Sequence, residues 1–96
     1  MRAANDMAPA LCRALAAEMR EISGLIEALA EVLATDQDVV ARHLPRLQQF
    51  DVLAQHMGES ASLLDTLAGG DCVTGAIERI RLERMQARLK AVLAAT

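Results

Sequence analysis

The chain has 96 residues, 53 % of them apolar, one aromatic (Phe50) and a net charge of −3. That is room for a single domain over residues 1–96 with one core. It is also too acidic and too poor in stacking side chains for a nucleic-acid binder. No apolar run approaches bilayer length and the first residues lack a signal-peptide apolar stretch, so a soluble cytoplasmic protein with no membrane partner is expected. Ala and Leu dominate while strand-favouring residues are scarce, which predicts an all-α fold.

Asn5 or Asp6 can cap a first helix over about residues 7–34, with Pro9 tolerated in its opening turn. Leu15, Met19, Ile22, Ile26, Leu29 and Leu33 recur at alternating steps of four and three, a heptad seam for a partner helix. Leu11, Leu25 and Val32 widen that seam to more than one neighbour. Thr35 then reads as the N-cap of a second helix over residues 36–68, with Asp36 and Asp38 near the positive end of its dipole. So short a connection makes the two helices antiparallel. The second seam runs Val40, His43, Leu47, Phe50, Ala54, Met57, Ala61, Leu64 and Ala68, and Pro45 predicts a kink near residues 41–45. His43, lying on that seam, reads as a partly buried structural histidine.

Gly69 and Gly70 stop the second helix, and Asp71 or Thr74 can cap a third over residues 73–94. Its apolar residues (Ile77, Ile80, Leu82, Met85, Leu89 and Val92) cover a wide arc, which suits burial between two neighbours. Cys12 and Cys72 have no partner at metal-ligand spacing and read as small buried hydrophobes. Residues 36–71 carry six acids against Arg42 and Arg46, while residues 72–96 hold Arg79, Arg81, Arg84, Arg88 and Lys90 against Glu78 and Glu83. The basic last helix is therefore expected to pack beside the acidic second one. Rods on the order of 40–50 Å, plus a shorter third, leave apolar surface uncovered. A symmetric dimer with a four-helix-type core would cover it.

Most catalytic classes find no support: there is no phosphate-binding glycine loop, metal set or Ser-His-Asp pattern. Asp51 and Gln55, four residues apart, stand on one side of the second helix. A glutamine amide is uncharged and both donates and accepts, so it can hold a water in line with a phosphoryl group without repelling it. A carboxylate one turn away can pair with a partner's lysine. Equally, the two can be plain polar residues on a solvated helix edge.

The segment Gln49-Phe50-Asp51-Val52-Leu53-Ala54-Gln55 resembles the Asp-x-x-x-Gln motif of the CheZ family of chemotaxis phosphatases, and in size the chain is similar to its short CheT-type members. The resemblance covers that motif and the hairpin around it. It implies a phosphatase that accelerates hydrolysis of the aspartyl phosphate of a CheY-like receiver domain. Gln55 would orient the attacking water and Asp51 would engage the receiver's lysine. The family pattern also includes a flexible linker and a separate regulator-binding helix, neither legible in these residues. Binding is then expected from the bundle, with Gln48, Arg81, Arg84 and Arg88 as contacts. No cofactor of its own is implied, since Mg²⁺ would come with the receiver.

Two other readings stand beside it. His56-Met57-Gly58-Glu59-Ser60-Ala61-Ser62 is partly similar to the phospho-accepting stretch of a histidine phosphotransfer domain, with small residues giving a receiver clearance. Against it, the usual following lysine is missing and Glu59 would repel a phosphoryl group. The remaining reading is a non-enzymatic helical adaptor or flagellar secretion chaperone.

Overall fold

The computed structural model describes residues 4–96, with side chains from Met7 onward. These form four helices and no strand: α1 (Ala4–Ala34), α2 (Gln37–Ala68), α3 (Val73–Glu78) and α4 (Glu83–Ala95). The chain is all-α. Two long antiparallel helices make a hairpin, and α3 and α4 sit on the outer side of α2, giving extents of 57 × 32 × 17 Å. Among the described residues no helix is long and apolar enough to cross a membrane.

Local chemistry explains the helix ends, with several shifts from expectation. α1 already runs through Asn5 and Asp6, so neither is its cap, and its beginning lies outside the described residues. Asp36, not Thr35, caps α2: its carboxylate accepts from the Asp38 and Val39 amides at 2.9 and 3.3 Å. Thr35 instead closes α1, its hydroxyl donating to the Val32 carbonyl at 2.7 Å. The kink falls at His43, whose φ of −129° and ψ of 23° leave the helical range two residues before Pro45. Gly70, at φ +90°, makes the turn that ends α2, a conformation other residues adopt at a cost.

Alanines set the α1–α2 contact. Ala16 and Ala61 are 0 % exposed, and Ala54 and Ala68 are buried beside them. α1 turns Cys12, Ala16, Met19, Ser23, Ile26, Ala30 and Leu33 toward α2, an unbroken heptad of half-buried and buried positions. Met19, Ile26 and Leu33 are seam residues as expected, but the other half of the expected seam is not. Leu15, Ile22 and Leu29 stay exposed with Leu11, Leu25 and Val32, between 44 and 66 %. Small side chains at the contact let the backbones approach, and the leucines are displaced to the flank. On α2 the inward positions are those expected, except His43, which the kink leaves exposed. Two bonds tie the hairpin: Arg13 Nη2 donates to the Ala68 carbonyl at 3.2 Å and Ser23 Oγ to the Ala54 carbonyl at 3.1 Å.

The single third helix expected over residues 73–94 is two helices, broken between Glu78 and Glu83. The break lets Ile77, Ile80 and Met85 meet in one buried cluster with Leu63, Leu82 and Leu89, which one straight helix could not do. The Gln86 side-chain amide reaches back from α4 and donates to the carbonyls of Ile77, which also accepts from the Ile80 N–H, and of Glu78, both at 3.1 Å. Gln86→Met should therefore lower stability by about 0.5–1.5 kcal/mol, the net worth of such a hydrogen bond, measurable by urea unfolding. Cys72 is the exposed N-cap of α3, its sulfur accepting from the Gly75 amide at 3.2 Å, and Cys12 is only half-buried. Neither is the buried hydrophobe expected, and neither Asp71 nor Thr74 is the cap. The basic segment does sit beside α2, where Leu63 packs on the Ile77–Ile80–Met85 cluster, but of its ion pairs only Arg81–Glu59 reaches that helix, since Arg79 pairs with Asp71 and Lys90 with Glu78.

Candidate functional site

Past the kink, α2 runs without further interruption and carries Gln48, Asp51 and Gln55 along one exposed edge at steps of three and four. That edge borders the polar flank of α1. Arg20, Ser23 and Glu27 come from α1, and Asp51, Gln55, Gly58, Glu59 and Ser62 from α2, to line an open cleft of about 480 Å³. Arg81, from the turn between α3 and α4, closes one side. Gly58 and Ser62 keep the floor low: a Cβ on Gly58 would meet nothing within 4 Å. Asp51 also lines the next groove along α2, about 590 Å³, where Gln48, Glu27 and Glu31 lie.

Two ion pairs brace this cleft. Arg20 Nη2 lies 2.6 Å from Asp65 Oδ2, linking α1 to α2. Glu59, 8 % exposed, is the buried acid of the described residues. Its Oε1 accepts from the Arg81 backbone N–H at 3.1 Å and from Arg81 Nε–H at 3.2 Å. Among the described residues no Arg81 terminal nitrogen has a partner, and the side chain is 86 % exposed. The cleft thus brings the Gln55 amide and the carboxylates of Glu27, Asp51 and Glu59 together with two guanidinium groups, each of them in an ion pair.

Of the residues picked from sequence, Asp51, Gln55 and Arg81 share this cleft, and Gln48 stands beside it. Arg84 and Arg88 do not. They line a separate cleft of about 410 Å³ with His56, Val52, Leu82 and Glu83, which Arg81 also borders. No member of the family models, the curated proteins or the solved structures matches this chain. Its site is therefore read from its own geometry.

Glu59, expected to repel a phosphoryl group on His56, is paired with Arg81. Reasoning from sequence missed Arg20, Ser23, Glu27 and Glu59. The first three follow one another at steps of three and four on a polar face, which identifies a flank but not the helix it borders. Among the described residues no three His, Cys, Asp or Glu side chains converge as a metal site would need.

His43 lies elsewhere, in an apolar groove of about 490 Å³ with Leu33, Val39, Leu47, Phe50 and Leu53. This groove and the exposed leucines of α1 continue one apolar side of the hairpin. The Asp51–Gln55 cleft opens on the other side.

Proposed function

We propose that this protein accelerates hydrolysis of the aspartyl phosphate of a receiver domain in two-component or chemotaxis signalling. The observation that carries it is the exposed Asp51–Gln55 pair, one turn apart on continuous helix, at the rim of an open cleft that also holds two guanidinium groups. A rigid helix suits a residue whose contribution is positioning. The Gln55 amide accepts a hydrogen bond from a water and directs its oxygen at phosphorus. The new P–O bond forms as the bond to the aspartyl oxygen breaks, the electron pair returns to the carboxylate, and the water's proton leaves with inorganic phosphate. Asp51 pairs with the receiver's lysine and sets the register. The Mg²⁺ that neutralises the phosphoryl group belongs to the receiver. Gln48 extends the contact along α2, and Arg84 and Arg88 meet acidic receiver surface outside the cleft.

The protein acts as a homodimer. Support comes from the outer stripe of α1, where Leu11, Leu15, Ile22, Leu25, Leu29 and Val32 keep heptad spacing yet are about half exposed or more. A second copy would cover this stripe together with the groove around Phe50, where a standard interface takes on the order of 800 Å² per partner. The paired hairpins form a four-helix core with both clefts facing outward.

The test is to incubate receiver domains phosphorylated with acetyl phosphate, freed of excess donor, with the protein and to follow phosphate release. Faster release supports the reading; release at the receiver's unaided rate opposes it. A second reading has one observation in its favour: His56 is half-buried in a cleft with three arginines, a setting that would stabilise a phosphorylated imidazole. Label moving from the receiver to this chain, and lost in His56→Gln, would favour phosphotransfer.

A further inference from the structure

Glu59 and Arg81 form the least explained pair of the cleft. An acid buried to 8 % exposure on α2 reaches a turn 22 residues later, and it accepts twice from one residue through one oxygen. A tether for the turn needs only the backbone bond. The second bond, from Nε–H, orients the guanidinium instead. With Nε held, the planar group is fixed in direction while Nη1 and Nη2 are left for a ligand. The cleft it borders is the one holding Gln55 and Asp51.

We infer that Arg81 is the anion-binding residue of the proposed phosphatase, contacting phosphoryl oxygens, and that Glu59 is the positioning residue that aims it. The inference rests on the phosphatase reading of the Asp51–Gln55 cleft. A guanidinium is suited to this role because its parallel N–H groups match two oxygens of a phosphoryl group and it stays charged. As charge develops on those oxygens in the transition state, a donor already in place needs no reorganisation. The buried carboxylate supplies that placement, and without it the long side chain is free to sample solvent.

Arg81→Ala separates this role from a structural one, because the bond from the backbone N–H at position 81 to Glu59 survives the substitution. The expected result is a fall of at least tenfold in kcat/KM for phosphate release from an acetyl-phosphate-labelled receiver domain, with helicity retained at the assay temperature even though Glu59 has lost its charge partner. Arg81→Lys restores part of the loss and Glu59→Gln falls between wild type and Arg81→Ala. Arg81→Ala at the wild-type rate, while Gln55→Ala is inactive, overturns the inference and leaves the phosphatase reading standing. Loss of helicity at the assay temperature together with the rate in both Arg81 variants also overturns it, since the residue would then only hold the turn. If wild-type protein and Gln55→Ala alike leave the receiver's decay unchanged, the phosphatase reading fails and takes the inference with it.

Discussion

Gln55→Ala is expected to cut receiver dephosphorylation on the order of 10²-fold, about 2.7 kcal/mol of transition-state stabilisation, while affinity for the receiver stays within about twofold. The amide reaches only the attacking water in this account, so its loss should appear in kcat rather than in binding. The folded state gives little reason for any other effect. Gln55 is exposed on α2, its side chain makes no hydrogen bond among the described residues, and alanine is the better helix former. Circular dichroism and thermal melting of the variant should therefore match wild type. Asp51→Asn offers the opposite signature: the shape is kept, the charge that meets the receiver's lysine is lost, and weaker binding dominates. A variant pair with these two signatures interchanged would contradict the assignment of roles.

Leu25→Lys combined with Leu29→Lys is expected to turn a dimer into a folded monomer. Both side chains are more than half exposed in the protomer, so lysine removes no internal contact and keeps helix propensity. Removing this apolar stripe from water is the favourable term in the association. Two ammonium groups facing two more across a symmetry axis outweigh it. Sedimentation at micromolar concentration measures the change, and helicity should be retained. Since the cleft opens on the other side of the hairpin, the monomer should keep phosphatase activity that depends on Gln55. A wild-type protein that already sediments as a monomer would contradict the interface.

How far the sequence could lead is clear from the two seams. On α2, Leu47, Phe50, Ala54, Met57, Ala61, Leu64 and Ala68 all face inward or lie half-buried, as their spacing says. On α1, Met19, Ile26 and Leu33 face inward as their spacing says, while Ala16, Ser23 and Ala30 take the turns that hydrophobicity alone gives to Leu15, Ile22 and Leu29. Close approach decides for the alanines, a fact of packing between helices that one helix's pattern does not hold. The break between α3 and α4 carries no glycine or proline. It is sustained by Gln86 and Glu59, whose partners lie 6 to 9 and 22 residues away, beyond any local signal.

The site divides in the same way. A four-residue step on one helix is legible, and so Asp51 and Gln55 were. Arg20, Ser23 and Glu27 enter only when the register of the hairpin is known, and Glu59 changes from an expected source of repulsion to a paired and buried charge. Cys72 shows the limit from the other side: a residue type usually buried is here spent on a helix cap.

The most direct measurement follows the half-life of a phosphorylated receiver domain with this protein in molar excess, while also tracking label on the protein itself. The account predicts a shortened half-life, phosphate released to solution and no label on the chain. A half-life unchanged for every receiver tried, or label accumulating on His56, would contradict it.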